Sequence, residues 1–302
     1  MLLSKFQIDL VDSELIRDKF AGTYILNSNN EVAIIEVSTS HAVPTILKRL
    51  EELNIPKESV KYLFITHIHL DHAGGAGTLL KELPRAKLVV QPSGAKHMVD
   101  PTKLILGANA VYGEEVVKKD YGVITPVDQS RIISCSDNQV FNIGGRELTT
   151  IFTPGHARHH ISIYDSISNG IFTGDSFGLT YPELNIEGRR FYQPTTTPTA
   201  FEYDKMVESI DKMMAFNPKL LFFTHYGFSD SPKDVEYQIK KRLDDYVDLV
   251  KFNTENLELR LGQYYINECS NFGIKLSSEN ILKLFEIDIK LNSMGLILWK
   301  NR

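Results

Sequence analysis

The chain has 302 residues, 42% of them hydrophobic, with 33 Lys and Arg against 38 Asp and Glu for a net charge of −5. That composition supports a full core, and the length suits two domains or one large domain with an appendage. A pI near 6.0 gives no bulk attraction to nucleic acid or anionic membrane, and no apolar run approaches the roughly 20 residues that span a bilayer.

Phe6-Gln7-Ile8-Asp9-Leu10 alternates with period two and predicts a half-buried strand. The opening Met1-Leu2-Leu3-Ser4-Lys5-Phe6 lacks a basic segment followed by a long apolar one, so the expectation is a soluble, cytoplasmic protein. Residues 23–26 and 31–37 flank Asn27-Ser28-Asn29-Asn30, a hairpin signal. Ile46, Leu47, Leu50 and Leu53 recur at helical spacing until Ile55-Pro56 breaks the pattern. The apolar run Tyr62-Leu63-Phe64-Ile65 reads as a buried strand, followed by a helix near 77–83 and a strand at 87–91. Residues 93–128 are less regular; they hold His97, Tyr112 and Tyr121, with helical hints at 114–119.

The second half repeats the theme. Residues 139–143 and 146–152 around Gly144-Gly145 read as a hairpin, and 161–164 and 171–173 as strands. A helix over 200–216 turns Met206, Ile210, Met213 and Met214 into the core. After Ser229-Asp230-Ser231-Pro232 the character changes: Val235, Ile239, Leu243, Tyr246, Val247 and Val250 form an amphipathic helix, and 281–291 reads as another. Residues 1–230 therefore read as a catalytic domain and 231–302 as a small helical extension. Gly295-Leu296-Ile297-Leu298-Trp299 is apolar for a chain end, tucked against the body or forming a homodimer contact. Cys135 and Cys269 stand apart from any Cys-x-x-Cys motif and read as buried, reduced thiols.

The chemistry concentrates in Thr66-His67-Ile68-His69-Leu70-Asp71-His72, directly after the strand at 62–65. Imidazole and carboxylate together suit Zn²⁺, Mn²⁺ or Fe. In extended backbone His67, His69 and Asp71 share one face, and His72 turns away as the chain bends into Gly74-Gly75. That arrangement serves two adjacent metal ions, His67 and His69 on one, Asp71 and His72 on the other. Further ligands should then end other strands. Phe152-Thr153-Pro154-Gly155-His156, Phe172-Thr173-Gly174-Asp175 and Phe223-Thr224-His225 each finish an apolar run with such a residue.

In this combination the sequence resembles the metallo-β-lactamase superfamily, marked by His-x-His-x-Asp-His and a later His, Asp and His. The resemblance covers about the first three quarters of the chain. It implies that His67, His69 and His156 hold a first metal and that Asp71, His72 and His225 hold a second, with Asp175 bridging. The implied fold is an αβ/βα four-layer sandwich, an α+β arrangement of two mixed β-sheets flanked by helices, with the metals in a groove at one edge. An Asp usually ends the strand that here runs Val32-Ala33-Ile34-Ile35-Glu36, so Glu36 departs from the pattern at a position that supports a ligand rather than binding metal.

The expected activity is hydrolysis of a small-molecule ester, thioester or lactone by a metallo-hydrolase of the glyoxalase II-like branch. It would use two divalent metal ions (zinc, iron or manganese), a hydroxide bridging them as nucleophile, and Asp71 orienting that nucleophile. The alternative is a non-hydrolytic di-iron protein that binds or reduces oxygen on the same fold. His159 or His160 is weighed as a substrate or supporting contact, Tyr226 as an oxyanion donor, and Arg189 or Arg190 as a rim for a carboxylate.

Overall fold

The computed structural model describes residues 2–302; Met1 lies outside the described residues. The first sheet has six strands in sequential order: β1 Ile8–Asp12, β2 Gly22–Ser28, β3 Glu31–Ile35, β4 Val60–Phe64, β5 Lys87–Val90 and β6 Ile132–Ser134. The second runs from β7 Val140–Ile143 through β8 Arg146–Phe152, β9 Ile161–Asp165, β10 Gly170–Phe172 and β11 Leu220–Phe223 to β12 Gly227–Ser229. Both sheets are mixed. Two hairpins turn where the sequence supplies residues that tolerate positive φ: Asn29 and Asn30 at +46° and +64°, and Gly144 and Gly145 at +55° and +90°. Parallel pairs need crossovers instead. The helix Val43–Glu52 carries the chain from β3 to β4, and Tyr203–Met214 carries it from β10 to β11.

The strands are buried on both faces, and alternate residues go to different cores. Ile34 and Leu63 pack outward under the helices Val43–Glu52 and Ala76–Glu82, whereas Ile35 and Phe64 point to the second sheet. Phe172 and Phe222 meet them there, while Ile171, Leu221 and Phe223 face the opposite helices. Three apolar interfaces therefore separate four layers of helix, sheet, sheet and helix, the expected sandwich.

The C-terminal residues form helices Pro232–Val250, Leu257–Phe272, Ser278–Leu284 and Glu286–Lys300. The expected single helix over 281–291 is two, parted at Phe285. One cluster joins Ile239, Leu261, Phe285 and Leu296 of these helices to Phe177, Tyr181 and Met206, so the extension shares its core with the second sheet's outer face. Between β5 and β6 the irregular stretch also proves helical, with Pro92–Val99, Thr102–Tyr112 and Glu114–Val116. No helix among the described residues is long and apolar enough to cross a membrane.

Strand direction places the site. β8 and β10 both run antiparallel to β9, and β11 runs parallel to β10, so all three end at one edge of the second sheet.

Candidate metal centre

The His67–His72 motif begins two residues beyond β4 but is not extended throughout. His69 has φ −61° and ψ 150°, and Leu70–Ala73 then forms a helical turn closed by the Ala73 N–H on the His69 carbonyl at 2.8 Å. The expectation of one shared strand face is corrected here. Helical rotation turns Asp71 and His72 toward His225 while the His72 ring stays 3.9 Å from that of His67, and two adjoining donor groups result.

In the first group His67 Nε2 lies 2.9 Å from His69 Nδ1, and His156 Nε2 lies 3.2 Å from the same atom. In the second, His225 Nε2 stands 3.3 Å from His72 Nε2 and 3.3 Å from Asp71 Oδ2. Asp175 faces both. Its Oδ2 is 3.5 Å from His156 Nε2, and its Oδ1 is 3.4 Å from His72 Nε2 and 3.8 Å from His225 Nε2. Three overlapping sets could hold a metal ion: His67 with His69 and His156, His67 with His72 and Asp175, and Asp71 with His72 and His225. The structure thus brings all seven sequence-derived ligand candidates together.

The outward-facing nitrogens of His67, His156 and His225 are held by defined partners. His225 Nδ1 donates to the Phe20 carbonyl at 2.8 Å; a carbonyl only accepts, so Nδ1 carries a proton and Nε2 faces the cluster. His67 Nδ1 is 3.0 Å from the Thr66 hydroxyl, and His156 Nδ1 is 2.7 Å from that of Thr195. His72 Nδ1 lies 3.4 Å from Glu36 Oε1, which also accepts the Thr66 N–H at 3.2 Å. Glu36 therefore stands at ion-pair distance from His72 in spite of its departure from the family pattern, although His72 Nδ1 makes no hydrogen bond.

His160 is neither solvent-facing nor a ligand. Buried between Thr153 and Asp175, it accepts the Asp175 N–H on Nε2 at 3.1 Å. Gly174 makes that approach possible: φ is +51°, and a Cβ would stand 2.5 Å from His160 Nε2.

Electrostatics divides the two groups. Burial pushes the His67 and His69 imidazoles well below the usual range, and neighbouring imidazoles add to the effect. Burial lowers His156 as well. Burial also opposes the charged forms of His72 and His225, but the carboxylates of Asp175 and Asp71 overcome it and hold both above the usual range. The same contacts keep Asp71 and Asp175 ionised despite their burial.

The donor set fits a cation. Tetrahedral Zn–N bonds of about 2.0–2.1 Å place nitrogens about 3.3–3.4 Å apart, close to the spacings of the first group. Asp175 Oδ1 is buried with no hydrogen-bond partner, and a buried carboxylate oxygen is costly without positive charge close by.

The remaining candidates separate. The half-buried His159 ring is 6.0 Å from that of His69, and burial and His156 lower it to about 4. Tyr226 is pushed up to about 12 by burial and the Asp12 carboxylate. Arg189 donates to the Phe272 carbonyl at 3.2 Å and lies over that ring, and Arg190 donates to the Phe228 carbonyl, so both guanidiniums have protein partners. Two tyrosines do reach toward the centre. Tyr112 and Tyr121, with rings 5.8 Å apart, end a helical cover packed on Leu70, and the Asp71 carboxylate helps burial raise both phenols. Thr195 and Thr197 went unnoticed in a loop marked out for its arginines; the signal was the run of hydroxyls in Pro194-Thr195-Thr196-Thr197-Pro198.

A family model described as the metallo-beta-lactamase superfamily matches residues 19–225, more than half of the chain. The chain belongs to this superfamily. A metallo-beta-lactamase fold-containing protein of Sulfurisphaera tokodaii is 29% identical over 228 residues, covering 74% of this chain and 79% of that protein. A hydroxyacylglutathione hydrolase of Synechococcus is 29% identical over 161 residues, covering 53% of this chain and 50% of that enzyme. An N-acyl homoserine lactonase of Rhizobium radiobacter is 29% identical over 122 residues, covering 40% of this chain and 41% of the lactonase. The alignments with the two hydrolases thus span half or less of their length. Among solved structures, an archaeal metallo-beta-lactamase superfamily protein from Sulfolobus tokodaii superposes over 98% of both chains with a TM-score of 0.67 at 23% identity, a likeness of fold.

Proposed function

We propose that this protein is a dinuclear metal-dependent hydrolase of a small-molecule ester, thioester or lactone. One observation carries the reading: the two oxygens of Asp175 face two different imidazole groups, and Oδ1 has no donor of its own. That is the geometry expected of a carboxylate shared between two cations. His67, His69 and His156 would hold the first and Asp71, His72 and His225 the second. When bound, two divalent ions lower the pKa of a water from about 15.7 toward 7 and polarise a carbonyl oxygen.

The chain's own residues supply orientation. Asp71, whose side chain is 25% exposed, is the most open carboxylate of the cluster and is placed to accept a hydrogen bond from the attacking water. Tyr112 and Tyr121 form a cover beside it with phenols kept protonated, hence able to donate. The names of two relatives, a hydroxyacylglutathione hydrolase and an N-acyl homoserine lactonase, both describe an acyl group given up to water, which supports the substrate class.

The test is elemental analysis of protein purified without added metal, followed by an ester, thioester and lactone panel. Two zinc, manganese or iron ions per chain with turnover of at least one acyl substrate is the expected result. Two irons with an oxygen-responsive visible spectrum and no turnover would replace this reading with the oxygen-binding one.

A further inference from the structure

The helix Glu286–Lys300 buries a polar face. Asp288, Asn292 and Ser293 are 8%, 2% and 1% exposed, where a helix docked for packing alone would bury apolar residues. Burying amides and carboxyls is costly unless each is paired; the Ser293 hydroxyl has no hydrogen-bond partner, and the partners of Asp288 and Asn292 reveal what the face serves.

Asn292 Oδ1 accepts the Thr196 N–H at 2.6 Å, and its backbone carbonyl accepts the Thr196 hydroxyl at 3.0 Å. Its side-chain amide donates to the Tyr265 hydroxyl at 3.0 Å, which fixes the amide's orientation. Gly295 continues the contact, since a Cβ there would stand 2.8 Å from the Thr196 carbonyl oxygen. Thr196 is the middle of a strap whose outer residues grip His156. The Thr195 hydroxyl lies 2.7 Å from His156 Nδ1, and the Thr197 hydroxyl donates to the His156 carbonyl at 2.7 Å.

One helical turn earlier, the Asp288 carboxylate oxygens accept from the Tyr181 hydroxyl at 3.0 and 3.2 Å. Thr180, the neighbour of Tyr181, donates its N–H to the His225 carbonyl at 2.6 Å. The Tyr181 ring also stacks on Phe20 at 5.9 Å, and the Phe20 carbonyl holds the His225 Nδ1 proton. Asp288 and Asn292, four residues apart on one face, thus lead to ligand candidates of different groups.

We propose that the helix Glu286–Lys300 positions the metal centre, Asn292 and Gly295 setting His156 through the threonine strap and Asp288 setting His225 through Tyr181. The inference rests on reading both histidines as ligands. Its consequence is that the C-terminal helix controls metal affinity although no atom of it binds metal. Residues that orient a ligand commonly govern affinity by 10–100-fold.

The experiment is competition of metal-free protein against a chromogenic chelator with Zn²⁺, read as two separate equivalents, alongside thermal unfolding. Asn292→Ala and Gly295→Ala should each weaken one equivalent at least tenfold, and Asp288→Ala should weaken the other. Gly295→Ala improves helix propensity, so its effect on affinity cannot come from a weakened helix, and it keeps the test alive if Asn292→Ala fails to fold. Asn292→Asp retains the Oδ1 acceptor and should restore most of the loss. Leu296→Ala, a buried apolar change on the same helix, should lower Tm and leave both equivalents unchanged. Wild-type affinities in the Asn292 and Gly295 variants overturn this inference alone. Equal weakening in Leu296→Ala also overturns it, because general loosening would then suffice. A wild-type protein that takes up no zinc overturns it together with the hydrolase reading.

Discussion

Replacing Glu36 with Gln tests whether a buried carboxylate supports the second metal group. Glu36 is 1% exposed and adopts φ +66°, a left-handed conformation that costs a non-glycine residue about 1–2 kcal/mol. A residue held against that cost is one whose side-chain direction matters. Oε1 lies 3.4 Å from His72 Nδ1 and accepts the Thr66 N–H, while Oε2 is buried without a partner. Gln keeps the size and can keep both contacts through its carbonyl oxygen. It loses the charge and places an NH₂ where Oε2 finds no donor and an amide finds no acceptor. Unit charges at 3.4 Å attract by about 5 kcal/mol at an effective dielectric of about 20. A metal-bound imidazole carries only part of a charge, so the expected loss is about 1.4–2.7 kcal/mol, tenfold to a hundredfold in affinity. Chelator competition on metal-free protein measures it as weakening of one zinc equivalent while the other stays put. Two equivalents both within twofold of wild type would refute the support role.

Acidification should strip the two groups in order. His67, His69 and His156 have lowered pKa values and bind metal with no proton to displace near neutrality; His72 and His225 have raised values and must shed theirs. Affinity at the second group should therefore fall about tenfold per pH unit for each proton displaced, and stepwise dialysis with elemental analysis should show one metal leaving first; simultaneous loss would contradict the assignment. Tyr121→Phe should lower kcat/KM about 2–10-fold, the worth of one neutral hydrogen bond, with metal content unchanged. Loss of metal in that variant would recast the cover as scaffolding. Arg146 and Asp165 form a fully buried pair at 2.6 Å, so Arg146→Leu should cost about 3–5 kcal/mol by denaturant unfolding, and adding Asp165→Leu should recover part of it. A cost under about 1 kcal/mol would mean that Asp165 finds other compensation.

The ligand candidates were legible as a cluster because each is a rare residue type following an apolar strand, a pattern that survives without coordinates. Strand pairing was legible where turns were explicit, as at Gly144-Gly145. Two kinds of element escaped. The helix Thr102–Tyr112 has no fully buried residue, so its apolar residues show no stripe, and Leu257–Phe272 buries Gly262, Tyr265 and Cys269 with Leu257 and Leu261 while Leu259 is exposed, which blurs the period. Supporting contacts escaped for another reason. Nothing local marks Asn292 as a partner of Thr196, because the pairing spans 96 residues and depends on how the last helix docks. His160 and Thr195 were hidden likewise: their roles lie in which atom they face, and neighbouring sequence does not encode that.

The pKa pattern and the donor geometry are two views of one field. Three carboxylates, Glu36, Asp71 and Asp175, lie against His72 and create a deep negative potential on one side of the cluster. On the other side His67, His69 and His156 are buried together, and Asp175 is the carboxylate they share with His72 and His225. Protons and metal ions respond to the same potential. In the metal-free protein it draws protons onto His72 and His225 and keeps them off His67 and His69. If both groups held cations, the carboxylates of the second would neutralise more of its ion's charge than the imidazoles of the first. An ion held by His67, His69 and His156 would then be the less neutralised of the two, and those three imidazoles would be the side that polarises a carbonyl oxygen more strongly. The asymmetry follows from where Glu36 and Asp71 stand, and it would narrow if Glu36 faced His67 instead.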